Sequence, residues 1–245
     1  MEEAPLTQPE PPAAPAAIYR HRLVTRIWHW TSAVAVIVLL GSGLMIFNAH
    51  PRLYWGVYGA NYDAPWLDLP RFPGWATIPS YYSLAGARHW HLFFALVLAF
   101  ALVVYLAWSL ANRHIAQDLR IRRGELAPRH LWDDFTAHLA LRFHDPNDPR
   151  AYNIFQKLSY AGVLFVLLPL AILTGLALSP AMDAAWPWLT GIWGGRQSAR
   201  SVHFIVAALL ALFLVVHLTL VILAGPLNEV RSMVTGRWRL PEEEP

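Results

Sequence analysis

Two histidines lie fourteen residues apart within one apolar stretch near the C-terminus of this chain. They are His203 and His217, in the segment SVHFIVAALLALFLVVHLTLVIL. Fourteen residues of an α-helix advance about 21 Å and return to within about 40° of the same face. A polar side chain in a membrane-spanning helix is costly and usually functional. The pair therefore predicts two ligand positions stacked across a membrane, and the group that suits imidazoles in such a place is haem iron.

The composition predicts a membrane protein. Of the 245 residues, 56% are hydrophobic and 14% are charged, and the mean hydropathy is +0.35, which is too apolar for an ordinary soluble domain. Crossing a hydrocarbon core takes about 20 apolar residues, and backbone groups in lipid must be satisfied internally. Four stretches without a charged residue meet this length: 27–47, 90–111, 158–178 and 202–224. We predict an all-α, integral membrane four-helix bundle.

The bundle is predicted to occupy residues 18–240, between a disordered Pro/Ala-rich tail at 1–17 and an acidic tail at 241–245. Of the 19 Lys and Arg residues, 14 lie on the side that holds both termini, so both termini are predicted to be cytoplasmic. The chain contains no Cys, which excludes disulfides, Cys-ligated iron–sulfur clusters and covalently attached c-type haem. Histidine must therefore carry any metal chemistry.

The depth of each histidine sorts four of them into two levels. With the N-terminus inside, His29 and His217 lie near the inner membrane surface, and His91 and His203 lie near the outer one. Each level is predicted to hold one haem b with two histidine ligands, and the third span, which has no histidine, is predicted to be structural. His89 is the alternative to His91. The remaining histidines are expected to be solvated or interfacial: His21, His50, His114, His130, His138 and His144.

An Arg-x-x-His pattern repeats at the start of three spans. Arg26, Arg88 and Arg200 each precede a predicted ligand by three residues, a spacing that puts both side chains on one helix face. An arginine can bind a carboxylate through two parallel hydrogen bonds, so the three arginines are predicted to bind haem propionates. The alternative is an interfacial arginine beside a histidine of the membrane surface.

Three other segments carry weaker signals. The aromatic loop at 48–87 is predicted to fold against the outer membrane interface, either as an aromatic belt or as a docking surface for a partner. Leu131, Phe135 and Leu139 recur every four residues and predict a short amphipathic helix on the inner surface. Gly41 and Gly43 either make room for a flat macrocycle or serve ordinary helix packing.

Five segments together resemble a known family. They are Arg26-Ile-Trp-His29-Trp, IFNAHPRLYWG at 46–56, Tyr-Asn-x-x-Gln-Lys at 152–157, GGRQSAR-x-x-His at 194–203 and AGPLNEVRSM at 224–233. The chain resembles the thiosulfate-reductase-type cytochrome b subunits, which belong with the bacterial cytochrome b561 group. It is similar to the di-haem b subunits of formate dehydrogenases and nickel–iron hydrogenases. The resemblance extends from about Tyr19 to Arg239.

The resemblance implies a multi-pass protein of the bacterial inner membrane with two b haems. Such a subunit passes electrons between the quinone pool and an extracytoplasmic redox partner, often a molybdopterin oxidoreductase. The ligands in those relatives correspond to His29, His91, His203 and His217, which the depth argument also selects. One alternative is a stand-alone b561-type oxidoreductase that moves electrons, for example, from superoxide to quinone. The other is a haem-free anchor or assembly protein.

Overall fold

The computed structural model describes residues 17–60, 62–113, 115, 120–140 and 153–240. The elements follow in the order β1 (Ala17–Tyr19), α1 (Leu23–Phe47), β2 (Arg52–Leu53), β3 (Leu67–Asp68), α2 (Leu84–Ala111), α3 (Pro128–Leu139), α4 (Ile154–Leu178), α5 (Pro180–Ala185), α6 (Pro187–Gly191), α7 (Arg196–Leu223), α8 (Pro226–Thr235) and β4 (Arg237–Arg239). Short 3₁₀ turns lie at Gly74–Ala76 and Arg123–Leu126.

Four helices are long and apolar enough to span a membrane: α1, α2, α4 and α7. The predicted four-helix architecture is therefore confirmed. Each helix begins four to six residues before the apolar stretch that predicted it, because the helices continue past the uncharged core into turns that carry Arg26, Arg88 and Arg200. The predicted tails at 1–17 and 241–245 lie outside the described residues, apart from Ala17, which begins β1.

The bundle has two distinct ends. The terminal end holds the first residues of α1 and α4 and the last residues of α2 and α7, and the loop end is opposite. At the terminal end β1 pairs antiparallel with β4, with Ile18 opposite Trp238. This pairing ties the two ends of the chain together. The indole of Trp30 and the guanidinium of Arg26 also donate hydrogen bonds to the carbonyls of Met233 and Val234, which fastens α8 to α1.

The helices pack chiefly as two pairs, α1 with α2 and α4 with α7. One buried apolar cluster joins all four: Ala35, Leu98, Leu102, Tyr105, Leu164, Leu168, Val206 and Leu210. Large apolar side chains on the outer faces are exposed, such as Phe100, Val103 and Leu212. An apolar exterior around a packed core is the arrangement that suits lipid as the surrounding solvent.

Helix α4 contains one π-helical turn at Val163–Leu167. Pro169 explains this turn, because proline has no backbone N–H and its ring crowds the carbonyl four residues earlier. The helix begins at a reciprocal cap: the side chain of Asn153 accepts from the amide of Gln156, and the side chain of Gln156 accepts from the amide of Asn153. Such a cap satisfies two backbone groups that the first helical turn leaves free.

The aromatic loop folds onto the start of α7. The hydroxyl of Ser201 donates to the carbonyl of Tyr54 at 2.6 Å and accepts from the indole of Trp66 at 3.0 Å. Gly195 has a φ of 117°, and a Cβ there would lie 2.6 Å from the carbonyl oxygen of Gly56. The left-handed backbone and the close approach both require glycine at this position. Helix α3 confirms the amphipathic helix predicted around Leu131.

Candidate cofactor site

The structure brings the four predicted histidine ligands together as two pairs. At the terminal end, His29 of α1 faces His217 of α7, with ring centres 6.2 Å apart and ring planes at 61°. At the loop end, His91 of α2 faces His203 of α7, with ring centres 6.2 Å apart and ring planes at 65°. These pairs are those that the depth of the residues predicted.

The spacing fits a single metal ion between the two rings of each pair. An imidazole nitrogen binds a first-row metal at about 2.0 Å, and the ring centre lies roughly 1 Å further back, so two opposed ligands place their ring centres about 6 Å apart. In the described part of the chain, no three His, Cys, Asp or Glu side chains come together as ligands for a bare ion. The two imidazoles of each pair would hold a haem iron, which would supply one-electron chemistry there.

Two hydroxyl groups hold the loop-end histidines. The Oγ of Ser42 on α1 lies 3.0 Å from Nδ1 of His91, and the Oγ1 of Thr174 on α4 lies 2.8 Å from Nδ1 of His203. Both hydroxyl residues are fully buried. With Nδ1 engaged in this way, Nε2 is the nitrogen of each ring that is left for a metal.

A glycine lies next to each of these hydroxyl residues. A Cβ at Gly43 would lie 3.5 Å from Cε1 of His91, and a Cβ at Gly175 would lie 3.4 Å from Cε1 of His203. A Cβ at either glycine would therefore touch the imidazole, and a larger side chain would extend into the space beside it. Gly41 has another role, because a Cβ there would lie 2.8 Å from the side chain of Ile78 in the aromatic loop.

The terminal-end pair has different surroundings. Nδ1 of His29 is buried and has no hydrogen-bond partner among the described residues. The ring of His29 meets Trp30 edge-on, with centres 5.1 Å apart, and the ring of His217 stacks on Phe213 at 5.7 Å. Aromatic contacts orient these two rings, whereas hydroxyl groups orient the rings at the loop end.

A cavity of about 220 Å³ opens beside the terminal-end pair. All four spanning helices line it, with Trp28, Tyr105, Leu164 and Phe213 among the apolar walls. The π-helical turn of α4 contributes Val163 and Leu164 to this wall. An apolar cavity with a few polar groups, set beside two potential metal ligands, is the usual form of a cofactor or small-molecule site.

His21 also lines this cavity, and here the expectation from the sequence was wrong. His21 was expected to be solvated or interfacial, but it is buried. Burial and the neighbouring charge of Arg20 lower the pKa of His21 to about 4, against the opposing effect of Glu229. The residue is therefore neutral at physiological pH. Its burial results from the pairing of β1 with β4, which joins residues more than two hundred positions apart.

The three Arg-x-x-His arginines have three different surroundings. The guanidinium of Arg200 donates to the carbonyls of His50 and Arg52 in the aromatic loop, and it lies over the ring of Phe47. Arg26 donates to the carbonyl of Val234, and Arg88 is exposed. The repeat in the sequence does not produce a repeated contact.

The other histidines considered from the sequence have different positions. His89 is exposed, whereas His91 faces His203, which supports the choice of His91. His114 and His144 lie outside the described residues. Ser42, Thr174 and Gly175 were missed by the sequence reasoning. The one available signal was a hydroxyl residue followed by glycine toward the loop end of two spans.

Several residues of the family-like segments have structural roles in the described part of the chain. Asn153 and Gln156 cap α4, and Gly195 admits the aromatic loop. The side-chain amide of Asn228 donates to the carbonyl of Arg239 and accepts from its backbone N–H, and Glu229 accepts from the indole of Trp238. The segments thus mark the connections that hold the four helices in register.

Four apolar helices that hold two facing histidine pairs are the architecture of a haem-binding membrane protein. The prokaryotic cytochrome b561 family matches residues 20–236, and the chain belongs to this family. It is accordingly a cytochrome b, an electron-transport protein with haem b and several transmembrane helices in the bacterial inner membrane.

Curated relatives are similar over most of their length. A putative protein-methionine-sulfoxide reductase subunit YedZ1 of Azospira oryzae is 27% identical over 81% of this chain and 87% of its own. A probable Ni/Fe-hydrogenase B-type cytochrome subunit of Azotobacter vinelandii is 24% identical over 93% of this chain and 90% of its own. The corresponding subunit of Cupriavidus necator is 22% identical, with 90% and 86% covered. No solved structure matches the chain.

Proposed function

We propose that this protein is a di-haem electron-transfer subunit that connects the quinone pool with an extracytoplasmic redox partner. The observation that carries the proposal is the equal 6.2 Å spacing of two histidine pairs at opposite ends of the bundle. His29 with His217 would hold one haem b, and His91 with His203 would hold the other. Two such groups, one above the other, make a path for electrons across the membrane.

The residues of this chain have defined tasks in the proposal. Haem iron supplies one-electron transfer when it is bound. The four histidines bind it through neutral imidazole nitrogens, and the apolar core excludes water and sets the local dielectric. Arg26, Arg88 and Arg200 each lie one helical turn from a ligand and are proposed to bind propionates. A guanidinium has five N–H donors, so Arg26 and Arg200 can bind a carboxylate and keep their present carbonyl partners.

We assign quinone exchange to the terminal end. His29 and His217 line the apolar cavity at this end, so the proposed haem would occupy it, and His21 and Tyr160 on the same wall would offer polar groups to a quinone that approaches this haem. The excess of Lys and Arg on this side supports a cytoplasmic orientation for it. The loop end would then face the periplasm, where the aromatic loop covers the start of α7.

The partner is proposed to be a periplasmic oxidoreductase that contacts the loop end. Relatives of this chain are named as subunits of a Ni/Fe hydrogenase and of a putative protein-methionine-sulfoxide reductase, which supports assembly with a catalytic subunit. A molybdopterin enzyme and a hydrogenase are both partners of this kind.

A surface cavity at the loop end bears on the alternative of a stand-alone oxidoreductase. Its charged lining residues are Arg196 and Asp183, and these form an ion pair at 3.6 Å. The two charges of this cavity balance, so the cavity itself is not a basic pocket of the kind that would attract superoxide.

Haem content per chain tests the proposal. The detergent-purified parent is expected to contain two b haems by the pyridine haemochrome assay. His203→Ala and His217→Ala are each expected to retain one. His89→Ala is the matched control, because His89 is exposed two residues from a proposed ligand, and it is expected to retain both. One haem or none in the folded parent would contradict the proposal.

A further inference from the structure

We propose that Ser42 and Thr174 are positioning residues for the loop-end histidines. They fix the protonated nitrogen of each ring at Nδ1, leave Nε2 for the iron, and lower the midpoint potential of the loop-end haem relative to the terminal-end haem. The inference rests on the proposed function, since it needs two haems with two histidine ligands each. Beyond that function, it says which of the two haems has the lower midpoint potential.

The direction of the hydrogen bonds follows from the number of protons. A hydroxyl group has one proton to donate. Ser42 donates it to the carbonyl of Val38 at 2.7 Å, and Thr174 donates it to the carbonyl of Leu170 at 2.6 Å. With its proton on the carbonyl, each hydroxyl oxygen accepts from the histidine ring, and this arrangement assigns the ring proton to Nδ1 of His91 and to Nδ1 of His203.

The same device occurs twice in the bundle. Ser42 and Gly43 on α1 hold His91 of the adjacent helix α2, and Thr174 and Gly175 on α4 hold His203 of the adjacent helix α7. In each case the hydroxyl engages Nδ1, and the glycine that follows leaves room for Cε1. The two hydroxyl residues come from different helix pairs, and the two imidazoles that they hold face each other.

Ordinary helix chemistry does not account for this arrangement. A Ser or Thr in a membrane helix often bonds the carbonyl one turn earlier and needs no other partner. Thr219 does so with Val215 at 2.8 Å, and its side chain is exposed. Ser42 and Thr174 make that bond and also a second one, to a histidine on another helix. Their complete burial keeps water from replacing the ring nitrogen.

The expected effect on potential follows from the basicity of the ligand. A hydrogen bond from the outer N–H of a metal-bound imidazole makes that imidazole a stronger donor. A stronger donor favours ferric over ferrous iron and so lowers the midpoint potential. Chains of hydrogen bonds strengthen each other, and here the accepting hydroxyl also donates to a carbonyl. Nδ1 of His29 has no partner in the described part of the chain, so the terminal-end haem lacks this effect on that ligand.

Optical redox titration of the b haems tests the inference. In Ser42→Ala and in Thr174→Val the midpoint potential of one haem is expected to rise, and the other haem is expected to keep its parent value. The double variant is expected to show the larger rise. Thr174→Ser keeps the hydroxyl and is expected to match the parent. Thr219→Val is the control, because the hydroxyl of Thr219 bonds the backbone carbonyl of Val215 at 2.8 Å and no histidine ring in the described part of the chain.

A second readout separates positioning from simple packing. The low-spin ferric signals in electron paramagnetic resonance report the ligand field of each haem. Ser42→Ala and Thr174→Val are expected to shift the signal of the haem that His203→Ala removes. Unchanged signals and potentials in both variants, with two haems retained, would overturn the inference and leave the proposed function intact.

The number of haems retained decides how a loss of haem in these variants is interpreted. Loss of the loop-end haem in Thr174→Val, with both haems kept in Thr174→Ser, supports positioning by the hydroxyl. The same loss in Thr174→Ser contradicts it, because the hydroxyl is still present there. A parent with fewer than two haems is the result that removes the proposed function itself.

Discussion

The two ends of the bundle hold their histidines at the same spacing in different surroundings. At the loop end, buried hydroxyls engage Nδ1 of both rings, and glycines fit closely against them. At the terminal end, aromatic rings surround the pair and a cavity opens beside it. The positions of the histidines along the helices set the spacing, whereas residues on neighbouring helices set the environment. Two histidine pairs with the same spacing thus lie in different environments within one fold.

The segments next to the two ends are also attached differently. We call these segments the coverings of the ends: the aromatic loop at the loop end, and the segment with Arg123–Leu126 and α3 at the terminal end. The aromatic loop is attached to α7 through buried groups such as Ser201. The segment that contains Arg123–Leu126 and α3 is attached to the start of α4 through polar contacts at its edge, including an ion pair between Glu125 and Lys157 at 2.7 Å. A firmly held loop end suits a fixed docking surface, and a more open terminal end suits the exchange of a small substrate.

The largest expected effect comes from filling the space beside His203. Gly175→Leu would place a bulky side chain where the imidazole lies, since even a Cβ there would be 3.4 Å from Cε1. We expect the variant to lose the loop-end haem and to retain the terminal-end haem. The haem count should fall from two to one, and the remaining haem should have the potential of the one that survives in His203→Ala.

Gly162→Leu is the control on the same helix. A Cβ at Gly162 would meet no described atom within 4 Å, and this glycine lies toward the terminal end of α4. The control is expected to keep both haems. If Gly175→Leu also keeps both haems, the close fit at the loop end is not what holds His203 in place.

An intermediate effect is expected from two fully buried serines, one at each end. Ser201 bonds both Tyr54 and Trp66, so Ser201→Ala leaves a carbonyl and an indole N–H unpaired and should cost about 1–3 kcal/mol of stability. Ser109 is buried, and its hydroxyl has no hydrogen-bond partner among the described residues. Ser109→Ala should therefore be neutral or stabilising. Thermal unfolding of the detergent-purified proteins measures the difference, and equal losses in the two variants would contradict it.

The main features of the fold and of the histidine pairs could be predicted because they depend on local properties of the sequence. Span length follows from composition, and the depth of each histidine follows from its place in its own helix. The roles of Ser42 and Thr174 could not be predicted in this way, because they depend on which faces of α1 and α4 meet the neighbouring helices. The burial of His21 depends on a strand pairing between opposite ends of the sequence.

The arginine repeat shows the limit of a sequence pattern. Arg88 and Arg200 stand in the same register to their histidines, yet Arg88 is exposed and Arg200 binds the aromatic loop. The three-residue spacing fixes the side of the helix that each arginine occupies. The partner is set by whichever segment folds over that helix end, and the pattern contains no information about that segment.

The smallest expected effect concerns the covering of the terminal end. Burial would raise the pKa of Glu125, but the hydrogen bond from Lys157, the amide of Arg122 and the charges of both residues together lower it. A carboxyl with a lowered pKa in the folded protein stabilises it fully above the ordinary value of about 4.3, and this contribution is lost as the pH falls through the lowered value. Glu125→Gln should therefore cost up to about 1 kcal/mol at neutral pH, and the difference from the parent should shrink in acid.

A double-mutant cycle isolates this ion pair. Lys157→Gln should cost about as much as Glu125→Gln, and the double variant should cost less than the sum of the two single variants. Hydrogen exchange in α3 is the sharper readout, because we expect a segment held by polar surface contacts to open locally at a lower free energy than the bundle. Faster exchange in α3 with unchanged exchange in the aromatic loop would support separate coverings for the two ends. Equal increases in the exchange rates of α3 and the aromatic loop would mean that the two coverings open together. The difference between the two ends would then be limited to the surroundings of the histidine pairs.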